Sequence, residues 1–257
     1  SFCYNGVAFL MLNRVTYENV ENYKKSFQSS SPRYVIMENI LKNNVIRKIE
    51  DEMDYDLNWW GDDHNNSKDK QYVQDMNSMP PMIRRVCQYF NSKDFLDYLS
   101  YVTGYKNIIP DNSLSGGGCH RTLSGGFLNV HHDYTNFDSF MDKWEDVAGE
   151  YGTPDIAGQK LYRHLNLLIY INEEWLPEWG GDLQIWSNDL KHMINEVTFK
   201  GNNSILFAID GVPHGYPNPI KCPTDVARKS LAFYYYSTEP TINDYERAYW
   251  KIGEEYR

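Results

Sequence analysis

The chain is expected to be α+β and mainly β, with a jelly-roll or sandwich core buttressed on one face by helices from its N-terminal half. Three observations predict this. Between about residues 42 and 104, apolar residues recur at helical spacing. After Gly104 the pattern changes to short apolar or alternating runs separated by Gly, Pro, Asn and Asp. With 257 residues, 41% of them hydrophobic and 15% aromatic, the chain can build one sizeable core.

Taken in order, residues 1–31 read as an N-terminal extension ending in the polar stretch Gln28-Ser29-Ser30-Ser31-Pro32. Its apolar run, Val7 to Leu12, is too short to span a membrane and lacks a basic flank, so it reads as an outer strand. Tyr34-Val35-Ile36-Met37 reads as a strand. Val45, Ile46, Ile49 and Met53 place a helix over roughly 42–54. Tyr55 to Ser78 is polar, holds Trp59 and Trp60, and reads as a long loop poised over a pocket. Pro80-Pro81 opens a second helix with Ile83, Val86, Cys87 and Phe90 on one face. Ser92 is placed to cap a third, carrying Phe95, Leu96, Leu99 and Val102 and closed by Gly104. Strands are expected over 126–132, 163–171, 182–186, 195–199, 204–209 and 230–236. A short amphipathic helix is expected over 244–257. The resulting division is an extension (1–31), a main domain (32–240, helical support about 42–104, β-core about 105–240) and a helical tail (241–257).

Composition excludes some functions. A net charge of −10 argues against a nucleic-acid-binding surface as the main function. The four cysteines, Cys3, Cys87, Cys119 and Cys222, are widely spaced and match neither a zinc pattern nor a disulfide framework. A cytoplasmic protein, without membrane association, is the simplest expectation.

The residues that carry chemistry are His131, Asp133, His214 and Arg228. In a strand, residues i and i+2 share a face. Gly126 to Asp133 can therefore present His131 and Asp133 together, with His132 on the opposite face. With His214 they form two imidazoles and one carboxylate, the facial triad of a non-haem Fe(II) centre that leaves metal positions open. Taken alone, an HxD pair also suits a hydrogen-bonded surface strand. A His between Gly211-Val212-Pro213 and Gly215-Tyr216-Pro217 also suits an ordinary turn.

The combination resembles the 2-oxoglutarate/Fe(II)-dependent oxygenases, in particular their prolyl-4-hydroxylase-like branch, from about Pro32 to Glu239. The resemblance rests on Gly116-Gly117-Gly118-Cys119-His120 and on Gly125 to Asp133. It extends through Arg163 to Trp175, Glu178 to Leu183, and Arg228-Lys229-Ser230-Leu231-Ala232-Phe233-Tyr234-Tyr235-Tyr236. It implies a double-stranded β-helix (jelly roll) with His131, Asp133 and His214 as iron ligands. Arg228, fourteen positions after His214, stands where the family places the base that pairs with the distal carboxylate of 2-oxoglutarate. A planar guanidinium suits a bidentate carboxylate contact. Ser230 and Tyr170 could add hydroxyls there; a strand hydroxyl and a core aromatic are equally good readings of the two. His120 and Arg121 are candidate substrate contacts or a plain strand pair. Trp59 and Trp60 are candidate substrate caps or core anchors. Gly180-Gly181 reads as architecture, and Asn166 as a buried amide needing partners.

The resemblance implies an enzyme using Fe(II), 2-oxoglutarate and O2, with ascorbate as a supporting reductant, that hydroxylates an unactivated C–H bond. Related halogenases lack the carboxylate of the triad, so Asp133 favours hydroxylation. A prolyl residue of a peptide or protein is the first substrate expectation, and a free amino acid or other small metabolite the second. A catalytically silent jelly-roll binding module is the rival class.

Overall fold

The computed structural model describes residues 11–61, 63–136 and 160–251, and the backbone of 252 and 255–256. Helices α1 (Arg14–Glu18) and α2 (Val20–Ser29) precede strand β1 (Tyr34–Met37) and helix α3 (Asn43–Tyr55). Short β2 (Trp60–Gly61) and β3 (Ser67–Val73) lead to helices α4 (Pro81–Phe90) and α5 (Lys93–Thr103). The β-core then runs through β4 (Ile109–Pro110), β5 (Gly118–His132), β6 (Tyr162–Tyr170), β7 (Leu183–Trp186), β8 (Met193–Val197), β9 (Ser204–Ala208), β10 (His214–Tyr216) and β11 (Arg228–Ser237). β12 (Tyr249–Ile252) and β13 (Glu255–Tyr256) close the chain.

The sheet order is β1-β9-β6-β11-β5-β10-β7-β8, with antiparallel neighbours. β5 belongs to both halves of the jelly roll. Its first half pairs with β11, and its second half pairs with β10. Gly125 (φ +85°) and Gly126 lie between these halves. A Cβ on Gly126 would stand 2.7 Å from the Lys68 carbonyl oxygen and 2.9 Å from that of Leu123, so only glycine lets the strands close here.

Period two divides the larger sheet half into a helix-facing and a pocket-facing side. Leu165, Leu167 and Ile169 of β6 and Leu231, Phe233 and Tyr235 of β11 are buried in the main core with the helices. Phe90 of α4 meets Phe95 at 4.6 Å and Phe233 at 4.9 Å between ring centres, and Tyr235 donates to the Phe90 carbonyl at 3.0 Å. The buried Glu52 of α3 accepts backbone N–H bonds from Met82 (3.1 Å) and Ile83 (2.9 Å), capping α4 where its amide groups have no helical partner. Buried Lys229 ties β11 to α3 through Asp54 (2.6 Å) and Glu50 (3.2 Å). It therefore points away from the pocket.

The mainly β fold, the strand at 34–37 and the three helices after it agree with the sequence reading. Ser92 sits at the α5 N-cap, but its hydroxyl makes no capping bond. Gly104 closes the helix at φ +81°. α2, in the expected extension, packs on α5 and β1. The Val7–Leu12 strand lies mostly outside the described residues; Leu12 makes a bridge to Leu41.

Two expectations are corrected. Tyr55–Ser78 is no simple loop, because β3 pairs with β5 from Ser67↔Leu128 to Val73↔Cys119. Its polar sequence, SKDKQYV, has no buried alternation, since its backbone is fixed by an open strand edge. The tail at Tyr249–Ile252 is strand in place of helix, for the same reason. β5 offers an edge at His131 and His132, which pair with Trp250 and Tyr249.

Candidate metal centre and co-substrate pocket

His131 ends β5, Asp133 follows it, and His214 opens β10 as the register partner of His131. The three are buried, and one ligand atom from each lies within 4.8 Å of the others. His131 Nε2 is 3.4 Å from Asp133 Oδ1, and His214 Nε2 is 3.9 Å from Asp133 Oδ2. His131 Nδ1 donates to the Asn129 carbonyl at 2.9 Å, and His214 Nδ1 to that of Val212 at 3.1 Å. A carbonyl only accepts, so both rings are fixed in the tautomer whose Nε2 lone pair faces Asp133. His132 turns to the other face and bonds the Asn188 carbonyl at 2.9 Å.

Electrostatics favour ligation. Burial would raise the Asp133 carboxyl, but contact with His131 and His214 and the nearby Arg163 charge outweigh it and hold the group well below the usual carboxylate range. Burial pushes His214 down to about 4 against the pull of Asp133, so its imidazole is neutral at pH 7.

A cavity of about 210 Å³ extends from this cluster along the inner sheet face. Its far wall carries Arg228, Ser230 and His120. Gly181, at φ +85°, leaves space for Arg228, since a Cβ there would stand 3.0 Å from Arg228 Cδ. The Arg228 guanidinium lies 4.3 Å from the ring centres of both Tyr216 and Phe199, and its Nε donates to the Gly181 carbonyl at 2.8 Å. Arg228 Nη2 is buried without a hydrogen-bond partner. The Tyr170 hydroxyl, buried near the same guanidinium, also makes no hydrogen bond of normal geometry, and burial pushes it up to about 12. Orphaned polar groups of this kind are costly unless a ligand meets them. Three N/O ligand atoms at one end and an unsatisfied guanidinium at the other fit an iron ion chelated by a dicarboxylate.

The remaining candidates separate. His120 lines the cavity, and Ser230 pairs with both His120 and Tyr170 across three strands. Arg121 points the other way, bonding Gln71 at 2.6 Å and covering the Trp59 ring at 4.6 Å. Trp59 donates to the Met53 carbonyl at 3.2 Å, and Trp60 is exposed. None of these three lines the cavity; Arg121 is turned away because adjacent strand positions face opposite sides.

The family signature of the 2OG-Fe(II) oxygenase superfamily matches residues 117–236, which hold all three cluster residues and Arg228. This segment belongs to the superfamily. The fold of the chain resembles that of a Pseudomonas putida prolyl-4-hydroxylase, with TM-score 0.54, 15% identity and coverage of 85% of this chain and 96% of that one. It also resembles a Trichoplax adhaerens prolyl hydroxylase in complex with a hypoxia inducible factor peptide fragment (TM-score 0.52, 14% identity, 87% and 93% covered). A third likeness is to HygX from Streptomyces hygroscopicus with nickel, 2-oxoglutarate and hygromycin B bound (TM-score 0.52, 14% identity, 90% and 89% covered). At such identities the likeness is one of fold. No curated protein sequence matches the chain.

The pocket has residues that the sequence reading does not single out. Tyr234 donates to Asp133 Oδ2 at 3.3 Å. Period two from Arg228 through Ser230 and Ala232 leads to it, so that signal was present. Arg163 lies over the Tyr234 and Tyr134 rings at 3.7 and 3.9 Å and bonds the Tyr236 hydroxyl at 3.0 Å. His64, Lys70 and Trp250 line the mouth. Among the described residues no helix is long and apolar enough to cross a membrane.

Proposed function

We propose that the protein is a 2-oxoglutarate-dependent Fe(II) dioxygenase that hydroxylates an unactivated C–H bond. His131, Asp133 and His214 would hold the iron, and Arg228 the distal carboxylate of 2-oxoglutarate. The observation that carries the reading is the pairing, in one cavity, of the three-ligand cluster with a buried guanidinium whose Nη2 has no partner. Iron and co-substrate, when bound, supply O2 activation and the oxidising power, with succinate and CO2 as by-products.

The chain's own residues supply geometry. The Asn129 and Val212 carbonyls orient the two imidazoles. Tyr234 holds one oxygen of Asp133 and restrains the carboxylate. The Gly181 carbonyl fixes the Arg228 plane and leaves Nη2 for a carboxylate. Ser230 and Tyr170 bring hydroxyls to the same end of the pocket. The rings of Tyr216, Phe199 and Trp250 exclude water, which strengthens each charged contact.

Likeness in fold to prolyl hydroxylases, one of them holding a peptide, supports a prolyl residue as substrate. A small molecule is favoured by a separate observation: β12 lies along the metal-bearing end of β5 and narrows the approach for a chain. HygX, of similar fold, holds hygromycin B. The complete ligand set and Arg228 speak against a silent binding module. Incubation with Fe(II), 2-oxoglutarate and a mixed panel of prolyl peptides and small metabolites tests the reading. A product one oxygen atom heavier is expected, and succinate at background level across the panel would overturn it.

A further inference from the structure

Lys70 is a pocket-lining cation that the proposed chemistry does not use. β3 reaches it through a bulge. The register with β5 shifts between Lys68 and Lys70, and Asp69 between them adopts φ +52°. Non-glycine residues rarely sit there, and bulges commonly re-aim a side chain. After the bulge Lys70 pairs with Thr122, which pairs with Arg228 on its other side. Lys70, Thr122 and Arg228 therefore form one row across three strands, on the face that lines the cavity. Burial, then the Lys70 charge, pushes His120 in the same pocket down to about 3. Lys70 has no salt bridge among the described residues.

Charge balance separates Lys70 from the other cations. Asp111 answers Arg163 through the Tyr236 hydroxyl at 3.2 Å. Asp133 and the two carboxylates of 2-oxoglutarate together carry three negative charges, which a divalent iron and Arg228 answer. Lys70 is left over in a partly enclosed site, where an unpaired charge is unfavourable. Two more groups await a ligand. The Oδ1 of buried Asn166, on the cavity wall, accepts no hydrogen bond. Trp250, stacked on His131 at 4.4 Å and braced edge-on by His64 at 5.4 Å, presents an aromatic wall at the mouth.

We propose that Lys70 binds a carboxylate of the prime substrate, which is a small carboxylic acid carrying a hydrogen-bond donor for Asn166 and an apolar body against Trp250. This rests on the dioxygenase reading and deepens it. An internal prolyl residue of a peptide has no carboxylate to offer at that position.

The test is calorimetric and needs no turnover. Protein loaded with Mn(II) and 2-oxoglutarate is titrated with the free L-amino acids, their primary amides, and an end-blocked proline peptide. At least one free acid binds, its amide binds about 10- to 100-fold more weakly, and Lys70→Met imposes the same loss on the acid alone. Lys70→Met keeps the wild-type melting temperature and 2-oxoglutarate affinity, whereas Trp250→Ala weakens acid and amide alike. Equal binding of acid and amide, preference for the blocked peptide, or no binding by any free acid would overturn the proposal. Loss of 2-oxoglutarate affinity in Lys70→Met would assign the lysine to the co-substrate and also overturn it. Failure of Mn(II) or 2-oxoglutarate to bind the wild type would instead sink the dioxygenase reading itself.

Discussion

His131 and His214 are register partners on neighbouring antiparallel strands, with their rings 4.8 Å apart. The proposed metal centre thus depends on how closely β10 approaches β5. Gly215 sets that approach: a Cβ there would stand 2.7 Å from the Asn129 carbonyl oxygen and 2.8 Å from that of Leu128. Gly215→Ala should push the strands apart and lower Mn(II) affinity about 10- to 100-fold, the range seen when ligand-orienting partners are lost. His131→Ala and His214→Ala should abolish binding with little change in circular dichroism. Wild-type affinity in either histidine variant would remove that residue from the centre.

Arg228→Ala should raise the KM for 2-oxoglutarate strongly. The expected loss is about 2–4 kcal/mol, because a partly buried carboxylate is left unpaired. Arg228→Lys should recover little, since a single ammonium cannot bond the Gly181 carbonyl and a carboxylate in the guanidinium's planar geometry. An unchanged KM in Arg228→Ala would move the anchor elsewhere; buried Lys229, held by Asp54 and Glu50, is not placed to replace it.

Much of the site was legible because it obeys strand periodicity. The HxD spacing put His131 and Asp133 on one face and His132 on the other, and the RxS spacing put Arg228 beside Ser230 on the inner face. Arg121, Trp59 and Trp60, read either as substrate contacts or as a strand pair and core anchors, lie off the cavity wall, since proximity in sequence to His120 or to a loop says nothing about which face a residue takes. Lys70 and Trp250 were invisible for a different reason. β3 and β12 exist because β5 has open edges, a tertiary cause that neither segment's own sequence records, and a bulge at Asp69 decides where Lys70 points. The jelly roll was readable from the rhythm of short runs. The Gly125-Gly126 bend, which lets β5 serve both halves, was not.

Glu52 couples α3 to the start of α4 from a buried position. Glu52→Ala should destabilise the protein by about 2–3 kcal/mol, as two charge-assisted bonds and a helix cap disappear. The KM for 2-oxoglutarate should stay unchanged well below the melting temperature, because Glu52 lies outside the cavity wall. Chemical denaturation of wild type and variant checks the first statement, and a shifted KM would contradict the second.

Four histidines with lowered basicity set an acid limit. Burial pushes His120 to about 3 and His214 to about 4, and lowers His132 and His164, from an ordinary value of 6.5. As pH falls below about 6.5 the unfolded chain takes up protons that the folded metal-free protein refuses. Stability is therefore full above that pH and is lost progressively toward pH 3. Melting temperatures of the metal-free protein between pH 7 and 4 should fall, and less steeply in His120→Asn. A melting temperature that held level over this range would contradict the buried, neutral state of these rings.

The central claim is tested most directly by succinate release from 2-oxoglutarate in the presence of Fe(II), O2 and ascorbate, measured on wild type, His131→Ala and Arg228→Ala. The account predicts Fe(II)-dependent succinate from the wild type, none above background from His131→Ala, and recovery of Arg228→Ala only at high 2-oxoglutarate. Succinate formation by His131→Ala at the wild-type rate, or none from iron-loaded wild type with any candidate substrate, would contradict it.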